Sequence, residues 1–294
     1  MSNSDVALRF ELTVRLLALL VICTSPAVPR GADAGAELAA ARAARDKGNT
    51  GEALHHAQMA VKLNPTLAEA HFLLALSAND NCHPDAEPGP DEQACALAFR
   101  EYAMALALDP NHTEALTSLA YLSYEFNRLD DAESNYRKAL TVNPNDPEAL
   151  CGVVSMDVRR SWADLAQSTQ GEVNTTRRGA YIRSPGCPDA GRRNRDRINE
   201  GMLLVRRALD LRKGDLDLMG YLATLYWLRA EIQCGDNRRF SEDTRTANNL
   251  DRARERLWRS GGPFDYLQKC PSAPNPLNRW KPQRRRLGGP QLRR

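Results

Sequence analysis

The chain has 294 residues, 42 % of them hydrophobic and 6 % aromatic, with a formal net charge of +3. That length can bury a sizeable core, and few aromatics with frequent alanine suit helices packed closely on one another. The near-neutral total excludes a uniformly basic chain but hides a split: residues 261–294 carry eight Lys and Arg against Asp265, while 35–260 is net acidic.

Residues 1–34 are laid out as an export signal. Arg9 and Arg15 precede an apolar run from Leu16 to Val28, and Ala32-Asp33-Ala34 offers small residues for a cut. The run is shorter than the ~20 residues a membrane-spanning helix takes. Ile22 stands in Leu20-Val21-Ile22-Cys23 where a lipidation box wants a small residue, so lipidation is disfavoured.

From residue 35 the pattern turns helical and periodic. In 113–144, Leu116, Leu119, Ala120 and Ser123 recur at helical spacing, and Ala132, Tyr136, Ala139 and Leu140 form a second stripe that ends at Asn143-Pro144. Ala98, Tyr102, Ala105 and Leu106 stand before Pro110 at the same distances, as do Ala53, Ala57, Ala60 and Val61 before Pro65. Pro110 and Pro144 are 34 residues apart, whereas Pro65 and Pro110 are separated by 45, the extra 11 falling between two helices. That insertion, about 79–95, is rich in Pro, Asp and Gly and reads as a surface loop.

The 34-residue period, the small interhelical alanines and the closing Asn-Pro or Asp-Pro resemble the tetratricopeptide repeat family. The resemblance implies an all-α, right-handed superhelical solenoid of antiparallel helix pairs, a fold that works as a binding scaffold with many unrelated clients. Units one to three and the first helix of a fourth occupy 35–167. An irregular, arginine-rich loop is expected over 168–197, and degenerate repeat helices over 198–260, with inner stripes at Met219, Leu222, Ala223 and Tyr226 and then at Ala247, Leu250, Ala253 and Leu257. This C-terminal half looks like that of exported bacterial members with an enlarged loop. The tail, 261–294, has the composition of a disordered end.

Catalytic signatures are missing from the sequence: there is no glycine-rich phosphate loop, His-Glu-x-x-His helix or serine elbow. No cofactor is expected and the chain reads as non-enzymatic. Cys82, His83 and Cys95 lack the closely spaced pair and the fourth ligand of a zinc site. Six cysteines remain once Cys23 departs with a signal; Cys82 with Cys95 would pin the inserted loop, Cys187 and Cys234 form a second candidate pair, and free thiols are the competing reading.

In the resembling family the first helix of each pair lines an inner groove. Carried onto this chain, that implies a wall of Leu38, Arg42, Phe72, Leu76, Asn79, Thr117, Tyr121 and Tyr124, continuing to Cys151 and Ser155. It suits a protein or peptide partner, with the two tyrosines as anchors. The Lys and Asn set by which some members grip a C-terminal carboxylate is absent. The alternative is an envelope protein that contacts anionic lipid or nucleic acid through its arginine-rich loop and tail, without specific nucleic-acid recognition. Either reading expects an exported, periplasmic or envelope location.

Overall fold

The computed structural model describes residues 33–83, 90–168 and 186–260, together with Cys270. Every regular element among them is an α-helix: α1 (Ala34–Asp46), α2 (Thr50–Leu63), α3 (Ala68–Asn79), α4 (Pro90–Leu108), α5 (Thr113–Glu125), α6 (Leu129–Val142), α7 (Pro147–Ser168), α8 (Cys187–Leu211), α9 (Leu216–Glu231) and α10 (Asn237–Arg259). The chain divides into two compact units, Met1–Gly152 and Val153–Arg294.

In the first unit α1 packs on α2, α3 on α4 and α5 on α6. The α1–α2 and α5–α6 connections are so short that each pair must be antiparallel. Both turn at one left-handed residue, Gly48 at φ 76° and Asn127 at φ 58°, which stand at the same distance before Pro65 and Pro144. Glycine has no Cβ to clash there and asparagine tolerates the region better than most residues. Ala57, Ala60, Ala98, Ala105, Ala132 and Ala139 are fully buried, so neighbouring axes can approach closely, and Tyr102 and Tyr136 fill the spaces beside them with no exposed surface. Asp33 accepts from the Gly35 amide at 3.0 Å and Asp146 from the Ala149 amide at 2.8 Å, capping α1 and α7. A cut after Ala34 would remove the first of these caps.

The inserted segment is shorter as a loop than its composition suggests. α3 ends at Asn79 and α4 has already begun at Pro90, because Ala94, Leu97 and Ala98 continue the helical stripe backwards from Tyr102.

In the second unit α9 packs against both α8 and α10. α8 begins at Cys187, eleven residues ahead of the expected Ile198. Of the arginines that suggested an irregular stretch, Arg192, Arg193 and Arg195 lie on its outer side, while Cys187, Ala190, Gly191, Asn194 and Ile198 form a buried stripe at helical spacing. α8 stops just before Gly214 at φ 80°. α9 is covered on nearly every side, so its fully buried residues include Leu218, Tyr221, Leu225, Leu228 and Ala230, whereas Met219 and Tyr226 of the expected stripe are half-buried. On α10 only Ala247 of the expected stripe is buried, and Leu257 is exposed. Asp215 and Asp236 cap α9 and α10 through the Leu218 and Arg239 amides, each at 3.0 Å.

Candidate functional site

Within the first unit the first helices of successive pairs touch directly, α1 on α3 and α3 on α5. Among the described residues no such contact joins the second helices α2, α4 and α6. The first helices therefore form the inner side of this unit, and the wall expected from the sequence falls on them.

The eight expected wall residues separate into two groups. Leu38 and Phe72 belong to the hydrophobic core, with the Phe72 ring 4.6 Å from His112 and 6.3 Å from Tyr102 between centroids. Thr117 is buried, its hydroxyl donating to the Glu114 carbonyl at 3.2 Å. Cys151 and Ser155 are likewise buried. Phe72 and Thr117 are interior because α3 and α5 are covered by neighbouring pairs as well as by their own partners, so leaving one helix's apolar stripe is not enough to reach solvent. Leu76, Asn79, Tyr121 and Tyr124 remain partly exposed, and Arg42 is exposed.

Charge links the wall from helix to helix, a feature the sequence pattern did not reveal. Arg42 of α1 donates to Glu69 of α3 at 2.5 Å, and His112, at the start of α5, meets the other Glu69 oxygen through Nε2 at 3.2 Å. The His112 contact, against the opposing cost of burial and with help from Arg42, holds Glu69 below the usual carboxylate range. Glu69 in turn raises His112, despite partial burial. Arg45 of α1 reaches Asp80, just beyond α3, at 2.5 Å.

Cys82 and Cys95 are joined, as are Cys187 and Cys234. All six cysteines among the described residues are disulfide-bonded. The two sulfurs flanking His83's loop are thereby committed to each other and cannot serve as thiolate ligands. Among the described residues no group of three or more His, Cys, Asp or Glu is gathered in a metal-binding arrangement. Residues 1–32 of the expected 1–34 signal, loop residues 169–185 and the tail other than Cys270 lie outside the described residues, and with them most of the basic residues of the envelope reading.

The second unit contains a cavity of about 320 Å³ lined by Arg195 and Asn199 of α8, by Arg229 and Gln233 with Ile232 at the end of α9, and by Arg239, Glu242 and Asp243 of α10. Arg229 donates to both Asp243 oxygens, at 2.5 and 3.1 Å, and Gln233 Nε2 adds a third bond at 2.9 Å. The Asp243 carboxylate, through its hydrogen bond and against the cost of burial, raises the Arg229 pKa further. Arg229 also lies over the Tyr226 ring, 4.8 Å from its centroid.

The helix pairs, their repeat register and their inner row of first helices define an all-α fold of stacked helix pairs, of the tetratricopeptide type. No protein-family model matches the chain and no curated protein matches it. Among solved structures it is similar to MamA from Desulfovibrio magneticus RS-1, at 13 % identity and TM-score 0.48 over 78 % of this chain and 97 % of that one. It is also similar to a tetratricopeptide repeat protein from Parabacteroides merdae ATCC 43184, at 16 % identity and TM-score 0.38 over 77 % and 97 % of the two chains. A third likeness is to human IFIT1, solved as a dimer with PPP-AAAA, at 21 % identity and TM-score 0.38 over 75 % of this chain and 48 % of that one. These scores are low, and the fold assignment stands on the helix pairs themselves.

Proposed function

We propose that this chain is a binding scaffold without chemistry of its own, and that the first-helix wall of its first unit holds a protein or peptide partner. The supporting observation is the continuous row α1–α3–α5, on which Tyr121 and Tyr124 of α5 stay partly exposed. They sit three residues apart and so share a face, and tyrosine offers a large apolar ring with a polar tip at little cost in conformational entropy. Leu76 and Asn79 of α3 and Arg42 of α1 extend that surface to the neighbouring pairs.

The direct packing of α1 on α3 and of α3 on α5, bridged by Arg42–Glu69–His112, means the surface is formed before a partner arrives and less ordering cost falls on binding. We also place the protein in an oxidising, exported compartment, a reading supported by its bonded cysteines. The test is capture of partners from the native envelope by the full chain and by its Tyr121→Ala/Tyr124→Ala variant. Loss of the captured partner, by about tenfold or more in affinity for a pair of anchor residues, is expected. Equal capture by both chains would reject the wall as the binding surface.

A further inference from the structure

The cavity between α8, α9 and α10 has an unbalanced distribution of charge. Its floor is already satisfied: Asp243 is buried and takes three hydrogen bonds, two from Arg229 and one from Gln233. Glu242 is directed to Arg238 at 3.0 Å and is exposed. The buried acceptor, Asp243, is therefore occupied and one Glu242 oxygen is drawn to Arg238, while two lining guanidiniums have little or no partner. Arg195 forms no hydrogen bond or ion pair with any described residue. Arg239 meets only Asp236, at 3.4 Å and with the two side chains 65 % and 43 % exposed. An exposed pair of that length contributes little.

These two cations line the cavity from different helices, α8 and α10, beside an Asp243 carboxylate already taken up by Arg229 and Gln233. Asn199, one helical turn beyond Arg195, adds an amide to the same wall. The walls are held in place beforehand. The Cys187–Cys234 bond ties the first turn of α8 to the connection between α9 and α10. Gly191 lets α8 approach that connection, since a Cβ there would come within 3.2 Å of the Ile232 carbonyl oxygen. Guanidiniums present planar forks that match the oxygens of phosphates and carboxylates, and pre-positioned donors bind without paying again for their ordering.

We propose that this cavity is a binding site for a small oxyanion, a molecule carrying a phosphate monoester or two carboxylates, gripped by Arg195 and Arg239. At about 320 Å³ the cavity lies at the small end of ligand sites, larger than an inorganic anion needs and too small for a nucleic acid or a folded partner. The inference does not depend on the peptide wall, which belongs to the other unit.

The experiment is calorimetric titration of the full, oxidised chain with phosphoserine and, separately, succinate at low ionic strength. The same titrations are repeated on Arg195→Gln and Arg239→Gln, whose folding is checked by circular dichroism. Saturable one-site binding of at least one ligand is expected, weakened roughly tenfold by either substitution; Arg195→Lys, which keeps the charge but loses the fork, should fall between. Binding of phosphoserine alone, or of succinate alone, identifies the anion class. No saturation by either ligand in the millimolar range overturns the proposal. So does an affinity unchanged in both glutamine variants, which would locate binding elsewhere on an arginine-rich surface.

Discussion

Two residue positions carry different chemistry in successive repeats. Six residues after Pro65, Pro110 and Pro144 stand His71, Leu116 and Leu150, all buried. Nine residues before the prolines that end the first three units stand His56, Glu101 and Asn135. His71 Nδ1 faces Glu101 at 2.6 Å, and its Nε2 faces the Pro65 carbonyl at 3.0 Å. Two acceptors require both ring nitrogens to donate, which only the imidazolium can do. Unit one uses the same two places with the partners exchanged, Glu37 meeting His56 at 2.7 Å. Burial opposes charge on both members of the inner pair. Their mutual hydrogen bond, together with the Pro65 carbonyl for His71 and Arg100 for Glu101, nevertheless raises His71 and lowers Glu101, although the Arg100 charge opposes the rise of His71. A raised histidine stabilises fully below its ordinary 6.5 and loses that contribution as pH climbs through its folded value. A lowered glutamate contributes fully above its ordinary 4.5 and loses that as pH falls through its folded value. The pair's contribution should thus be greatest between these two ordinary values and decline on either side. Thermal unfolding across pH should show that decline for the natural chain. Glu101→Ala strands a buried charge and should cost about 3–5 kcal/mol. His71→Leu/Glu101→Asn, which installs the residues of unit three, should recover most of this loss and flatten the pH profile. An unaltered profile in that double variant would show the pair is not what titrates.

At the scale of the element, successive interfaces balance volume between a second helix and the first helix that follows it. Tyr136 of α6 fills the place where Gly152 of α7 has no side chain; a Cβ added there would enter the Tyr136 ring. The corresponding places one repeat earlier hold Tyr102 and Ser118, whose hydroxyls are neighbours. One repeat before that they hold Ala57 and Leu73, both members of the core. Large meets small in each case, with the sizes reversed at the first interface. Gly152→Ala should therefore destabilise by at least the ~1–3 kcal/mol typical of overpacking, since a fully buried ring must move. Tyr136→Ala/Gly152→Leu, copying the Ala57/Leu73 solution, should be more stable than the sum of its single effects predicts. Chemical denaturation of the four chains measures this coupling, and strictly additive losses would rule out the exchange. The tyrosines and alanines that set these helices were visible in the sequence because they recur at fixed distances from Asn-Pro or Asp-Pro. The start of α8 was not visible, since its buried residues are separated by arginines whose outward placement depends on what α8 packs against.

For the molecule as a whole, legibility follows the reach of the interaction. The 34-residue period and the paired helices depend on neighbours along the chain, and both could be read in advance. Which side chains remain at the surface depends on contacts such as Arg42–Glu69 and Glu69–His112, made between repeats, so Leu38, Phe72 and Thr117 were expected on a wall they do not reach. The cavity of the second unit escaped notice for the same reason, its lining being drawn from three helices. Cysteines are the third long-range feature, and they connect the fold to its environment. The Cys82–Cys95 bond closes a short segment, with a sequence separation of 13, between α3 and α4. Restricting the unfolded chain in this way should contribute about 3 kcal/mol. Cytosolic thiols are kept reduced, so a chain whose described cysteines are all bonded would forfeit that contribution there. Protein recovered from its native compartment, denatured without reductant and treated with iodoacetamide, should show no alkylation at Cys82, Cys95, Cys151, Cys187, Cys234 or Cys270. Cys82→Ser/Cys95→Ser should unfold at lower denaturant concentration than the oxidised natural chain, and the two should match once both are fully reduced. Alkylation of all six cysteines in the native material would place the protein in a reducing compartment and remove the basis for export.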